Sequence, residues 1–323
     1  MSIQTSLTTR LGIRHPILLA PMDVVADARL VAAVSGAGGL GILGGGYGDA
    51  DWLNREIARI KEMRVRFGIG FITWSLAKQP RLLDLALESE PAAIMLSFGD
   101  VGPFAESVKR AGAALICQVQ TLDMAREAAS VGADILVAQG AEAGGHGASR
   151  STLTLVPEIV DVIGPHVSVV AAGGIADGRG LAAALMLGAS GVLMGTRFYA
   201  TKEAAIAEEA KVRVQRATGD ETARGLVFDI VRKRVWPAPF TGRCLRNGLL
   251  ERWKGRELEL VHRAEEESAK YLAAREAGDF DIAAVIAGEA AGLVRDIPSA
   301  REIVERVSRD AEALLKGAEQ RLV

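Results

Sequence analysis

Eight short apolar runs, separated by amphipathic segments, fill the first 200 residues of this chain. Each run is rich in Ile, Val, Leu or Ala and does not alternate with polar residues, which is typical of parallel strands buried on both faces. Such strands need covering helices on both sides, so the runs restrict the chain to an α/β fold. The runs are 16–20, 40–43, 67–71, 93–96, 114–118, 135–138, 167–171 and 191–194.

Helical patterns lie between the runs, and several of them end at a glycine, as helices commonly do. They are 28–35, 51–63, 80–88, 103–111, 122–131, 157–163 and 177–187. Eight β/α units in succession predict a (β/α)₈ TIM barrel. A doubly wound open sheet is the alternative, and the number of strands favours the barrel.

The pattern changes after the eighth run, where the chain becomes charged and helical. We expect residues 201–282 to form a helical insertion that packs over one end of the barrel as a lid. The barrel itself should comprise residues 1–200 and 283–323, because the tail carries a further helical run that can close the outer layer.

Charge and cysteine usage exclude several classes of function. The 323 residues carry a net charge of −2 without a long basic run, so nucleic-acid binding is not expected. The short run Arg232-Lys233-Arg234 is interpreted as a solvated surface. Cys117 and Cys244 show neither metal-ligand nor disulfide spacing. With no signal peptide and no membrane span in the sequence, we expect a metal-free cytoplasmic protein.

The stretch 139–147, which follows the sixth run, carries four glycines and one histidine, His146. Glycine allows the backbone to approach a ligand closely, and a lone imidazole accepts protons near neutral pH. The stretch therefore predicts a loop that holds a cofactor and carries one base. The alternative is a flexible turn with a solvated histidine.

Two further glycine-rich loops follow the seventh and eighth runs, where this fold commonly binds phosphate. Gly173 and Gly174 would offer backbone N–H groups, and Gly195 and Thr196 would add two more and a hydroxyl. Tight βα turns are the alternative. Asp177, just beyond, is expected to be a helix N-cap.

Other candidates also lie at the carboxyl ends of the predicted strands, where barrel enzymes place their chemistry. Gln118 could bond a cofactor ring, while Trp74, Ser97 and Phe98 could line a substrate pocket or simply pack in the core. The remaining histidines, His15, His166 and His262, are expected to be structural or surface residues.

A G-x-G-x-x-G match at 36–41 is interpreted as a helix stop followed by a tight turn. In a dinucleotide-binding fold that motif follows a strand and opens a helix. Here it follows a helix and enters a strand, so the context for cofactor binding is wrong.

Taken together, these motifs resemble the nitronate monooxygenases, formerly called 2-nitropropane dioxygenases, which are FMN-dependent (β/α)₈ barrels. The resemblance lies in residues 15–22, 30–43, 139–146, 171–177, 188–198 and 287–293. It implies that His146 is the catalytic base or orients the substrate. It implies FMN contacts from Ala20, Pro21, Met22, Gly70, Gln118, Gln139, Gly140 and Gly145, and phosphate contacts from Gly173, Gly174, Gly195 and Thr196.

The implied activity is the oxidation of alkyl nitronates, and of nitroalkanes after His146 removes their α-proton, with O₂ to carbonyl compounds and nitrite. Some relatives resemble NAD(P)H-dependent enoyl-acyl-carrier-protein reductases or quinone reductases, and the stretches 25–27 and 40–46 are similar to the former. That reductase is the alternative activity, and a non-enzymatic flavin- or phosphate-binding protein is a third. A homodimer is expected.

Overall fold

The structure is a computed structural model and describes residues 3–318. The strands of the described part are β1 (Ile17–Leu19), β2 (Gly41–Gly44), β3 (Phe67–Ile72), β4 (Ala93–Ser97), β5 (Ala114–Val119), β6 (Ile135–Gln139), β7 (Gly145–Gly147), β8 (Ser168–Ala172), β9 (Gly191–Met194), β10 (Thr222–Gly225) and β11 (Thr241–Leu245).

The α-helices of the described part are α1 (Ser6–Leu11), α2 (Ala28–Gly36), α3 (Ala50–Met63), α4 (Thr73–Leu76), α5 (Arg81–Leu87), α6 (Gly102–Arg110), α7 (Leu122–Ser130), α8 (Thr152–Ile163), α9 (Gly178–Met186), α10 (Thr196–Tyr199), α11 (Glu208–Arg216), α12 (Val227–Val231), α13 (Gly248–Trp253), α14 (Glu257–His262), α15 (Ala264–Ala277) and α16 (Ala300–Lys316). Short 3₁₀ helices lie at Gly219–Glu221 and Glu289–Leu293.

Eight parallel strands form one sheet in the order β1-β9-β8-β6-β5-β4-β3-β2. The sheet closes on itself, because Leu18 pairs with Leu40 across β1 and the start of β2. The Leu19 N–H donates to the Leu40 carbonyl, and the Leu40 N–H donates to the Ile17 carbonyl, each at 3.0 Å. The eight predicted strands and the TIM-barrel fold are therefore confirmed, and the open sheet is excluded.

Apolar side chains fill the inside of the barrel, and α1 closes its amino-terminal end. Leu18, Ile42 and Ile116 belong to one buried cluster with Leu7 and Leu11 of α1. On the outer side of the barrel wall, α16 packs against α9 and α2 and so completes the outer ring of helices. The chemistry is thereby confined to the opposite end of the barrel, where the strands finish.

Two features of the helices bear on the sequence predictions. The G-x-G-x-x-G match is a helix stop and a turn: α2 ends at Gly36, Gly38 has φ +96°, and β2 begins at Gly41. The start of α8 was predicted at Pro157 and is wrong, because the helix begins at Thr152. The Glu142 carboxylate accepts from the backbone N–H of Thr152 at 3.0 Å and so fixes the earlier start.

The segment 201–282 contains two strands as well as the expected helices. β10 and β11 pair in antiparallel fashion, and β11 pairs with β7, so that Gly242 lies opposite His146. The sequence did not indicate these strands, since Thr222–Gly225 and Thr241–Leu245 carry arginine and glycine and form no apolar run. They are strands because β11 pairs with the edge of β7 and β10 pairs in turn with β11.

In residues 3–318, no helix is long and apolar enough to cross a membrane. The same residues hold no group of His, Cys, Asp and Glu side chains arranged to bind a metal ion. Cys117 and Cys244 are both free and buried.

Candidate active site

A cavity of about 240 Å³ lies at the carboxyl ends of the barrel strands. Its floor comes from the strand ends and the loops that follow them, and its roof comes from the segment 201–282. Eight of the residues predicted to bind the cofactor or to act in catalysis line it: Ala20, Pro21, Met22, Gly70, Gln118, Gln139, Gly145 and His146. The sequence therefore located one wall of the cavity.

Pro21 packs directly on Gly70 in the floor. A Cβ atom at Gly70 would lie 2.4 Å from the Cβ of Pro21, a distance that atoms do not adopt. Only glycine at this point of β3 lets the proline ring lie against the strand. The pair makes a flat apolar surface at the bottom of the cavity.

Three glutamines form a hydrogen-bonded chain beside that surface. The side-chain amides of Gln118 and Gln120 donate to Oε1 of Gln139 at 3.3 and 2.8 Å, and Nε2 of Gln139 donates to the His146 carbonyl at 3.0 Å. Gln139 therefore connects the end of β6 to the backbone of His146. Gln120 was missed, since it is buried behind the cavity and its sequence position resembles that of any core residue.

Two arginines of the segment 201–282 hold the loop 139–147 by its carbonyl groups. Nη2 of Arg224 donates to Ala141 and Ala143 at 3.1 Å each, and Nε of Arg243 donates to Ala141 at 3.0 Å. Burial lowers the pKa of Arg224 to about 10, so its guanidinium is still charged at neutral pH. Arg243 also pairs with Glu289 at 3.0 Å. These bonds make the glycine-rich loop a fixed element rather than a flexible turn.

The tail closes over the same loop. A Cβ at Gly288 would lie 2.3 Å from the Glu142 carbonyl and 2.5 Å from the Gly144 nitrogen, so the two backbones touch. The Glu289 N–H donates to the Glu142 carbonyl at 2.9 Å. The tail motif that contributed to the resemblance thus supports the histidine loop.

The predicted phosphate residues lie behind the cavity wall. Gly173 and Gly174 have φ of +105° and +74°, a left-handed geometry that favours glycine. Gly195 is the N-cap of the short helix α10, and a Cβ atom added to it would lie 3.5 Å from the Cβ of Ala20. The Thr196 hydroxyl accepts from the Gly288 N–H at 2.9 Å and keeps its own proton to donate.

Gly140 lies beside Gly173 and is equally crowded. An added Cβ at Gly140 would lie 2.0 Å from the Thr152 hydroxyl and 2.3 Å from a Glu142 oxygen, and one at Gly173 would lie 3.0 Å from the Gly140 carbonyl. The structure therefore brings the loops after β6 and β8 together. That they bind a phosphate remains a prediction.

His146 sits in the cavity wall against a carboxylate and an indole. Its Nε2 lies 3.0 Å from each oxygen of Asp229, and the two side chains are 11% and 6% exposed. Its ring stacks on Trp236 with 3.4 Å between centroids and 7° between planes. Nδ1 has no bonding partner in the described part of the chain. The imidazole is thus held by its ring face and by one nitrogen.

Burial lowers the pKa of His146, and the charges of Arg232 and Arg224 lower it further, while its hydrogen bond to Asp229 acts in the opposite direction. The net shift is downward, so the ring is neutral at neutral pH. A neutral imidazole that faces a carboxylate donates its Nε2–H to it, and its basic lone pair is then on Nδ1. The arrangement can abstract a proton at Nδ1 and stabilise the resulting charge through Asp229.

Several aromatic side chains that line the cavity, both in the segment 201–282 and outside it, were missed by sequence reasoning. All three tyrosines of the chain, Tyr47, Tyr199 and Tyr271, line the cavity. The Trp236 indole N–H donates to the Tyr47 hydroxyl at 3.1 Å. Aromatic residues are few in this chain, so their convergence on one cavity is the signal that could have indicated the roof.

The surface interpretation of Arg232-Lys233-Arg234 is wrong for its first residue. Lys233 and Arg234 are exposed, but Arg232 lines the cavity. Asp23 is the acidic residue of the cavity lining; burial raises its pKa, although Arg232 and Arg275 act in the opposite direction.

Some of the remaining sequence candidates line the cavity, and others have a structural or surface position. Asp177 is the N-cap of α9, where it accepts from the Arg179 N–H at 2.9 Å. Ser97 and Phe98 line the cavity. Trp74 instead packs against Trp236 from behind, with 5.4 Å between centroids. His166 and His262 are exposed, and His15 is partly buried at the amino-terminal end of the barrel.

A closed parallel barrel with a histidine–carboxylate pair at the carboxyl ends of its strands defines an α/β-barrel enzyme. The model of the nitronate monooxygenase family matches residues 4–72 and 72–310 of this chain. The chain belongs to the nitronate monooxygenase family. It is therefore an oxidoreductase from a family of flavin-dependent barrels.

Individual relatives agree with that assignment and differ in their activities. The nitronate monooxygenase npaC of Metarhizium robertsii is 34% identical, over 93% of this chain and 91% of its own length. A (3aS,4S,5R,7aS)-5-hydroxy-7a-methyl-1-oxo-octahydro-1H-indene-4-carboxyl-CoA dehydrogenase of Mycobacterium tuberculosis is 32% identical, over 98% of this chain and 99% of its own. The structure of FabK from Thermotoga maritima superimposes with a TM-score of 0.88 at 30% identity, covering 99% of both chains.

Proposed function

We propose that this enzyme is an FMN-dependent nitronate monooxygenase that converts alkyl nitronates and O₂ to carbonyl compounds and nitrite. Nitroalkanes serve as a second substrate class, from which His146 first removes the α-proton. The observation that carries the proposal is the His146–Asp229 pair, a neutral base held in a cavity at the catalytic end of the barrel. The family match and the similarity to npaC support the nitronate as substrate.

The cavity floor fits FMN in shape and in chemistry. The surface made by Pro21 and Gly70 can accept a flat ring, and Gln118 and Gln139 provide amides at its side. An added Cβ at Gly145 would meet only Ile286, at 3.7 Å, so the glycine leaves room beside the floor. The residues that would hold the ring are Ala20, Pro21, Met22, Gly70, Gln118, Gln139, Gly140 and Gly145. Those that would hold the phosphate are Gly173, Gly174, Gly195 and Thr196.

When bound, FMN supplies the transfer of electrons between substrate and O₂. The residues of the chain do the remaining work. Nδ1 of His146 takes the α-proton of a nitroalkane, and the Asp229 carboxylate stabilises the imidazolium that results. Trp236 keeps the ring in one orientation through its stacked face. We further propose that the segment 201–282 acts as a lid, since it supplies the roof that excludes water from the cavity.

The base role is tested by comparing nitroethane with preformed ethyl nitronate in His146→Gln. Removal of the base should lower nitroethane turnover by about 10²-fold or more, which is typical of general-base catalysis. Ethyl nitronate already lacks the α-proton, so its conversion to nitrite should fall much less. If nitroethane turnover is unchanged in the variant, His146 is not the base. If the wild type makes no nitrite from ethyl nitronate, the proposed activity itself is wrong.

A further inference from the structure

Arg232 is a partly buried cation without an ion-pair partner. It follows the last residue of α12, the helix that carries Asp229, and its side chain lines the cavity from the roof. Among residues 3–318, no carboxylate lies within ion-pair distance of its guanidinium. Its guanidinium carbon lies 5.9 Å from the centroid of the Tyr47 ring.

Other shielded arginines of this structure are all compensated. Arg197 pairs with Asp296 at 2.8 Å, and Arg243 pairs with Glu289 at 3.0 Å. Arg224 donates to four backbone carbonyls. A shielded charge without a direct partner is costly. Tyr47, Tyr271 and Asp23 act on the charge of Arg232 from the cavity wall, but none of them makes a hydrogen bond or an ion pair with its guanidinium in the described chain, so the guanidinium is free to bind a partner that is not part of the protein.

The electrostatic balance of the cavity points to an anion as that partner. Arg275 of α15 also lines the cavity and likewise has no carboxylate partner in the described chain. Against these two cations stand Asp23, a carboxyl group whose burial favours its neutral form, and Asp229, whose two oxygens both face Nε2 of His146. The roof therefore presents excess positive charge to whatever lies between it and the floor.

The position of Arg232 indicates whether its partner is the cofactor or the substrate. The residues proposed to hold the cofactor come from the ends of the barrel strands, whereas Arg232 comes from the segment 201–282 on the other side of the cavity. A group bound by Arg232 is thus a group of the substrate. The planar fork of a guanidinium matches a planar anion with two oxygens and binds it through two parallel hydrogen bonds.

We propose that Arg232 is the anion-recognition residue of the substrate site and binds the two-oxygen head group of an anionic substrate. A nitronate and a carboxylate share this shape and charge, and a nitroalkane has the shape without the charge. The inference rests on the proposed function only in taking a nitronate as the anionic substrate. It makes Arg232 a determinant of specificity for the anion over its neutral analogue.

The direct test is calorimetric binding of butyrate and butyramide to the FMN-reconstituted enzyme at fixed ionic strength. The two molecules have nearly the same shape, and only butyrate is charged. The wild type should bind butyrate at least about tenfold more tightly, as expected for a charge-assisted bidentate contact. Arg232→Gln should bring the two affinities to within about twofold, and Arg232→Lys should restore part of the preference because it keeps the charge without the fork.

Arg234→Gln is the matched control. It removes the same charge only two positions along the chain, but the Arg234 side chain is exposed and does not line the cavity. It should keep the wild-type preference. Equal binding of butyrate and butyramide by the wild type, or an unchanged preference in Arg232→Gln, would overturn the proposal. Nitronate turnover separates the two claims: an enzyme that prefers butyrate but makes no nitrite retains the anion site and loses the proposed activity.

Discussion

Nε2 of His146 lies 3.0 Å from both carboxylate oxygens of Asp229, across 83 positions of the sequence. The contact depends on the pairing of β11 with β7, which brings the segment 201–282 against the loop 139–147. Because that segment also supplies Trp236, the barrel provides His146 and the insertion provides the two side chains that hold its ring. The predictions below follow from this division.

Asp229→Asn should impair proton abstraction and shift its pH dependence to lower pH. The carboxylate raises the pKa of His146 by hydrogen bond and by charge, so its removal lowers that pKa further below 6.5, the ordinary value for histidine. The acid limb of the nitroethane profile should move to lower pH, and the plateau rate should fall by about 10²-fold. The pH profile of kcat/KM measures both. A limb that moves to higher pH would contradict the assigned role.

Arg232→Gln should move the acid limb of the nitroethane pH profile to higher pH, opposite to the shift in Asp229→Asn. The charge of Arg232 lowers the pKa of His146, so its loss lets that pKa rise. The titrating groups and charges that face the imidazole are Asp229, Arg232 and Arg224, and only one of them changes in this variant. The two pKa shifts of opposite sign distinguish an electrostatic effect from general damage to the site, because such damage would not shift the pKa of His146 in opposite directions in the two variants.

The stability of the enzyme should fall in mild acid because of His146. Its pKa is lowered in the folded state, so the unfolded chain binds the proton more readily. This contribution is fully present above the unfolded pKa of about 6.5 and is lost as the pH falls from there towards the folded pKa. Urea unfolding of wild type and His146→Gln across this range should show a smaller pH dependence in the variant. Parallel curves would rule out the contribution.

Gly70→Ala should destabilise the barrel and weaken FMN binding together. The new methyl group would lie 2.4 Å from Pro21, so the proline or the strand must move, at a cost of about 1–3 kcal/mol in the free energy of unfolding. Gly225→Ala is the control, since an added Cβ there meets nothing within 4 Å. Urea unfolding and flavin fluorescence titration measure the two effects, and equal behaviour of the two variants would contradict the packing argument.

The barrel could be predicted from the sequence because its signals are local. Each buried strand is a short apolar run, and each helix carries its own periodicity and its own glycine stop. The loop of His146 was equally visible, since four glycines and one histidine directly follow such a run. Residues on the strand ends, such as Pro21 and Gln118, could then be placed in the cavity from the geometry of the fold and the family resemblance.

The roof could not be predicted, because its position depends on contacts between distant parts of the chain. Asp229 lies in a helix of only five residues, whose other four are apolar, and Arg232 lies in the charged turn that follows it and looks like surface. Their placement follows from the pairing of β10 and β11 with β7, and neither strand has an apolar run to reveal it. Charged residues near a tryptophan in an insertion are a weak signal until the pairing is known.

The most direct test of the proposed activity is the anaerobic visible spectrum of the FMN-reconstituted enzyme, mixed separately with ethyl nitronate and with NAD(P)H. The proposal predicts that ethyl nitronate bleaches the flavin absorbance and that NAD(P)H does not. Rapid bleaching by NAD(P)H, with no response to ethyl nitronate, would contradict it and would assign the enzyme to the reductases.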